Sequence, residues 1–162
     1  MLKIIDFADQ LPFGQIMDIY ECSNRDRGKC NFPQLDESEQ LLLAEQDFYA
    51  YLQDVLNRHL AIIALWSAEG RAVAALRLEK YHDGLLLAGI ETAPAERRKG
   101  YASALVCAIV NHFPNCKIYS HIFNGNHASV SLHTKCGFKK IADMAVLLDG
   151  SATNEASTYM YG

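Results

Sequence analysis

The chain has 162 residues, half of them apolar, a formal net charge of −4 and five cysteines. That length buries one sizeable core and is too short for two ordinary domains, so residues 1–162 read as a single domain, and the acidic balance argues against a general nucleic-acid binder. Cys22, Cys30, Cys107, Cys116 and Cys136 are odd in number and form no C-x-x-C pair, and no leader-like segment or apolar run of about 20 residues is seen; the expectation is a cytoplasmic protein with reduced thiols and no membrane partner.

Taken in chain order, Leu2 to Phe7 alternates as a first strand and Phe13 to Cys22 reads as a short helix. Ser23 to Pro33 is polar, charged and rich in turn formers, and reads as a loop. Asp36 followed by Glu39 gives a capping-box start to a long helix ending near His59, with Leu42, Glu45, Phe48, Leu52, Val55 and Leu56 along its mostly apolar face. Ala61 to Trp66 and Ala72 to Glu79 read as strands joined at Glu69-Gly70, and Asp83-Gly84 turns the chain into a third, Leu85 to Thr92. A helix follows with Ala102, Leu105, Val106, Ile109 and Phe113 at helical spacing and Pro114 at its end. Lys117 to Phe123 is a strand, His127 to Cys136 a helix closed by Gly137, Phe138 to Leu148 a strand, Asp149 to Glu155 a loop, and Ser157 to Tyr161 a last strand.

The junction after Thr92 carries the strongest chemical signal. Thr92-Ala93-Pro94 leads out of a strand into Arg97, Arg98, Lys99 and Gly100, and Tyr101, Ala102 and Ser103 open a helix. A helix start leaves four backbone N–H groups without partners and concentrates partial positive charge, so an anion docks there with little rearrangement. Gly100 removes a Cβ from the approach, and the small Ala102 keeps the next turn open. Neither G-x-x-x-x-G-K-[ST] nor G-x-G-x-x-G is present, which excludes the two commonest nucleotide loops.

Arg97, Gly100 and Ala102 satisfy R-x-x-G-x-[GA]. About one strand later, Asn126, Ser129, Leu132, His133, Lys135, Gly137 and Phe138 follow N-x-x-[SA]-x-x-L-Y-x-K-x-G-F in all but one place. Two motifs in this order resemble the acyl-CoA segment of the GNAT superfamily of N-acetyltransferases, over roughly Leu85 to Leu148. The resemblance implies an α/β (α+β) domain: a central mixed, mostly antiparallel twisted sheet of about six or seven strands flanked by about four helices. It implies that acetyl-CoA is the co-substrate, with Thr92, Arg97, Arg98, Lys99, Gly100, Tyr101, Ala102, Ser103, Asn126 and Ser129 binding it, and no metal. The acceptor is then a small-molecule or peptide amine, and a homodimer is compatible with the family.

The one departure is His133, where the family carries a tyrosine near the CoA sulfur. The role carried over to His133 is general acid for the departing thiolate. On helical spacing Asn126, Ser129 and His133 share a stripe expected to face the cofactor, while Ala128, Leu132 and Cys136 share one expected to pack on the sheet. An amine acceptor also needs a base; Glu91, beside the cofactor strand, is the first candidate and Glu79 the second. Two other readings stand beside catalysis: a CoA or acyl-CoA binding module of the same fold without chemistry, and an unrelated α/β domain whose basic turn takes another phosphate.

Overall fold

The computed structural model describes residues 1–162. Its elements in chain order are β1 (Leu2–Ile5), α1 (Phe13–Ile19), α2 (Glu21–Asn31), α3 (Glu37–Asn57), β2 (Ala61–Ala68), β3 (Arg71–Tyr81) and β4 (Gly84–Thr92). They continue with α4 (Tyr101–His112), β5 (Lys117–Phe123), α5 (His127–Lys135), β6 (Lys139–Ala142), β7 (Ala145–Val146), β8 (Ala152–Thr153) and β9 (Ala156–Tyr161). Seven strands form one sheet in the order β1-β2-β3-β4-β5-β9-β6, and β7 and β8 make a separate short ribbon. Every pairing in the large sheet is antiparallel except β4 with β5, because α4 carries the chain back between them. This is the mixed, mostly antiparallel sheet expected, with five helices where four were anticipated.

The sheet buries a different helix layer on each face. Ala75 on β3 packs with Ile16 and Ile19 of α1 and with Phe48, Leu52 and Leu56 of α3. Its neighbours Ala74, Leu76 and Leu78 point the other way and pack with Leu105, Val106 and Ile109 of α4. Alternation along one strand thus serves two cores. The capping box of α3 forms as read: Asp36 Oδ1 accepts from the Ser38 and Glu39 N–H groups at 2.9 and 3.0 Å, and Glu39 Oε2 accepts from the Asp36 N–H at 3.4 Å. Leu42, expected on the buried face of α3, is 54% exposed; Gln40 and Ala44 complete the inward stripe instead.

Two segments differ from the sequence reading. Residues 23–33 were expected as a loop, but most of them belong to α2, which turns off from α1 at Tyr20. The helix shows no apolar stripe because polar and small residues anchor it. Asn24 is fully buried, with Nδ2 on the Met17 sulfur at 3.6 Å and Oδ1 accepting from Arg27 at 2.9 Å. Gly28 lies so close to α3 that a Cβ there would stand 2.5 Å from the Gln40 carbonyl oxygen. The expected strand from Phe138 to Leu148 is interrupted after Ala142, leaving β6 in the main sheet and β7 in the ribbon, whose partner β8 falls inside the expected loop from Asp149 to Glu155.

Candidate active site

β4 and β5 run side by side and then part. They pair only from Gly84 to Leu87 and from Lys117 to Ser120; beyond that β4 stays with β3 and β5 with β9. From Ala88 to Thr92 one side of β4 therefore turns backbone N–H and C=O groups toward a gap instead of a strand. A bulge opposite Ala75–Arg77 marks the divergence, and Gly89 within it sits at φ +59. Tyr20 pins the bulge, its hydroxyl donating to the Gly89 carbonyl over 2.7 Å.

The far end of β4 feeds the basic loop. Arg97 Nε donates to the Thr92 carbonyl at 3.2 Å, folding the loop back on the strand, and Arg98 and Gly100 take left-handed backbone at φ +66 and +83. No side chain caps α4, and the N–H groups of Tyr101, Ala102 and Ser103 find no partner in the chain. Nothing lies within 4 Å of where a Gly100 Cβ would stand. These donors open on a cleft of about 490 Å³ between the start of α4 and one face of α5.

Of the residues expected to bind a cofactor, Thr92, Arg97, Arg98, Gly100, Tyr101, Ala102 and Ser103 line this cleft. Lys99 does not: it is exposed and its ammonium is paired with Glu96 at 2.8 Å. Asn126 and Ser129 do not either. Asn126 is the N-cap of α5, its Oδ1 accepting from the Ser129 N–H at 3.0 Å, and the Ser129 hydroxyl lies 3.3 Å from His133 Nδ1.

The orientation of α5 departs from the expected one at Ala128 and His133, while Cys136 is buried as expected. Ala128, Ser131, Leu132 and Lys135 face the cleft, whereas His133 is only 1% exposed and Cys136 is buried. A short helix with small or apolar residues on both sides gives no clean period, and the side with His133 and Cys136 is the one that meets the core. His133 packs edge-on to Phe138 at 5.0 Å between ring centres, and its Nδ1 lies 2.8 Å from the Ser129 carbonyl, so that N–H donates there. Nε2 is left as a buried nitrogen without a partner. Burial holds this imidazole below its ordinary pKa, hence neutral at pH 7.

On the opposite face of the sheet, beside Tyr51 of α3, stands a second cavity of about 450 Å³ where β4 and β5 diverge. Tyr51, Arg77, Glu79, Gly89, His121 and Asp149 contribute to its wall. Glu91 lies on this same face, two β3 positions along from Arg77 by its pairing with Ala75. Its carboxylate accepts a hydrogen bond from Ser23 of α2, and burial raises its pKa while that bond, Arg97 and Arg27 work against the rise. Glu79 is committed to an ion pair with Arg77 at 3.1 Å. Sequence reading passed over Arg77, Tyr20 and Ser23; the available signal was a charged pair two residues apart, Arg77 and Glu79, inside an otherwise apolar strand. No cluster of three His, Cys, Asp or Glu side chains is placed to hold a metal ion, and no helix is long and apolar enough to cross a membrane.

A sequence model of the acetyltransferase (GNAT) family matches residues 15–138. The fold is similar to that of the PaiA N-acetyltransferase of Thermoplasma acidophilum, solved in complex with coenzyme A, at 12% identity and a TM-score of 0.62, over 99% of this chain and 98% of that one. It is similar to an N-acetyltransferase of Staphylococcus aureus (16%, TM-score 0.63, 99% and 96%) and to the ribosomal-protein-S18-alanine N-acetyltransferase of Escherichia coli (15%, TM-score 0.59, 99% and 92%). No curated protein matches the chain in sequence.

Proposed function

The chain belongs to the acetyltransferase (GNAT) family, and on that premise we propose that it transfers the acetyl group of acetyl-CoA to a primary amine by direct attack, without a covalent enzyme intermediate. The observation that carries this reading is the continuity of two sets of free backbone donors, the unpaired side of β4 from Ala88 to Thr92 and the uncapped start of α4. The residues present fit the co-substrate: Arg97 and Arg98 with the N–H groups of Tyr101 to Ser103 would hold its pyrophosphate, and the β4 edge its peptide-like arm. When bound, it supplies an acyl carbon already activated by a thiol leaving group.

The chain's own groups do the rest. Backbone N–H groups on the free side of β4 stabilise the negative charge that develops on the acyl oxygen, and they are fixed before the reaction begins. Glu91 takes the proton of the acceptor ammonium. Its raised pKa makes it a better base than an ordinary carboxylate, and the Ser23 hydroxyl orients it. The N–C bond forms, then the C–S bond breaks, and the second proton shed by the nitrogen goes to the departing thiolate, whose thiol, with a reference pKa of about 8.5, needs no strong acid to leave. His133 has its one N–H tied to the Ser129 carbonyl and is buried, so it acts in packing rather than as that acid. All five cysteines are free, which supports a reducing compartment such as the cytosol.

Thermal unfolding with acetyl-CoA, CoA, ATP and NAD at equal concentration tests the first half of this reading. At about 100 times the dissociation constant a ligand of the folded state adds about 2.7 kcal/mol, a rise of about 5–10 °C for a domain of this size. Acetyl-CoA and CoA are expected to give it and ATP and NAD not; release of free thiol with a panel of amines tests the second half. Stabilisation without thiol release for any amine would return the protein to the class of acyl-CoA binding modules.

A further inference from the structure

The cavity beside Tyr51 of α3 contains a cation with unused donors. Arg77 has a side chain only 17% exposed, and it is held on three sides. Its Nε donates to Glu79 at 3.1 Å, its guanidinium lies over the Tyr51 ring at 5.3 Å, and Gly89 stands against it. A Cβ at Gly89 would come within 2.9 Å of Nη1, so a glycine in the bulge makes the room the guanidinium occupies. Neither Nη1 nor Nη2 has an acceptor in the chain. Glu79 takes the inner edge of the guanidinium, and the two outer nitrogens remain as a fork. That fork matches the two oxygens of a carboxylate.

The surroundings favour an anion there. Arg27, stacked on Phe48 at 4.8 Å, brings a second cation to the adjoining hollow that Arg77 and Tyr51 also line. Of the nearby acids, Glu79 is bound to Arg77, Asp149 accepts from both the N–H and the hydroxyl of Ser151, and Glu91 accepts from Ser23; Asp47 lines the Arg27 hollow and sets one carboxylate against the two guanidinium groups there. Leu86, Ala88, Leu147 and Leu148 supply an apolar wall. Glu91 and Arg77 stand on one sheet face as diagonal neighbours on adjacent strands, about 7–8 Å apart between backbone positions. A base for an amine and a clamp for a carboxylate are therefore set at the spacing of a small molecule.

We propose that the acceptor is a free amino acid with an apolar side chain, its carboxylate gripped end-on by Nη1 and Nη2 of Arg77 and its amine presented toward Glu91. This rests on the acetyl-transfer reading above. In the step itself the ammonium passes one proton to Glu91, its nitrogen bonds to the acyl carbon, the C–S bond breaks, and the second proton the nitrogen sheds goes to the departing thiolate, giving an N-acetyl amino acid and free thiol.

The test supplies acetyl-CoA with each common amino acid, and then with the carboxamide and the decarboxylated amine of those that react, following thiol release. At least one apolar amino acid is expected to turn over, with kcat/KM about 100-fold above its carboxamide. Arg77→Lys, which keeps charge but not the fork, is expected to bring that ratio below about 5. Gly89→Ala, which crowds Nη1 without removing it, is expected to lower the same ratio. Retention of the melting shift with acetyl-CoA shows that each variant is folded. Equal rates for acid and carboxamide, an unchanged ratio in Arg77→Lys, or a protein that acetyl-CoA stabilises but that acetylates no amino acid would each overturn the inference and leave acetyl transfer standing. Failure of acetyl-CoA to stabilise the parent protein would instead remove the reading beneath it.

Discussion

The two sides of the opening between β4 and β5 are made of different material. On the α4 side the donors are backbone: an uncapped helix start, a left-handed glycine and the free side of a strand. On the α1–α3 side the polar groups are side chains, Arg77, Glu79, Glu91 and Ser23, held by one another and by Tyr20 and Tyr51. Backbone recognition needs only a few permissive residues at fixed spacing, so it leaves a short motif. Side-chain recognition is assembled from four elements distant in sequence and leaves none.

The largest expected effect is on the side-chain half. Glu91→Gln is expected to lower kcat by about 100- to 1,000-fold with the acetyl-CoA KM nearly unchanged, since it removes a base and keeps the shape. Burial raises the Glu91 pKa, so the activity of the parent is expected to fall as pH drops through that raised value. Stability has the opposite sign. A folded-state pKa above the unfolded one gives a contribution that is full below the ordinary carboxylate range and lost as pH rises through the folded value. Glu91→Gln is therefore expected to melt higher than the parent at pH 7, with the gap closing toward pH 4; a variant equally unstable at both would show that Glu91 carries no buried-charge penalty.

Next comes the backbone half. Gly100→Val places a β-branched residue at φ +83 in front of the free N–H groups, and a rise of about 30- to 100-fold in the acetyl-CoA KM is expected, with the acid-to-carboxamide preference untouched. Unaltered affinity would detach the loop from the co-substrate. His133→Ala is expected to destabilise the fold by about 2–3 kcal/mol through lost packing on Phe138, while kcat changes less than about tenfold and the pH profile keeps its shape. A pH-rate limb that vanishes in this variant would restore the histidine as an acid. The smallest effect is expected for Lys99→Ala, less than about twofold in the acetyl-CoA KM, because that ammonium is exposed and already paired with Glu96. A tenfold loss would mean that the pair opens when the co-substrate binds.

Legibility in the sequence follows the same division. Strands β1 to β5 and β9, with α3 and α4, were visible because alternation or helical spacing of apolar residues matches what they bury, and Asp36 and Gly100 mark helix starts by their own chemistry. α2 was hidden because its buried contacts are made by Asn24 and Gly28, which read as turn residues. The facing of α5 differs because Ala128, apolar and expected inward, lines the cleft and Leu132 touches both cleft and core, while a histidine goes to the core. Arg77 was missed because a charged residue on a half-covered strand looks solvated until the helices above it are in place.

The four-residue span over which β4 and β5 are paired has a mechanical meaning. Apart from that short seam, the sheet's two blocks, β1 to β4 and β5 with β9 and β6, are bridged by the helix layer on the α4 face, by a small cluster of Tyr81, Leu86, Tyr119 and Met160, and by the bonds of Asp83 to Lys117 and Tyr119. Anything laid along β4 from Ala88 to Thr92 fills the place of absent rungs and closes the wedge. Loading the protein would then change its stiffness as well as its occupancy: amide exchange would slow on both flanks of the wedge together, and the force needed to part the blocks would rise although no residue of the chain had gained a new neighbour.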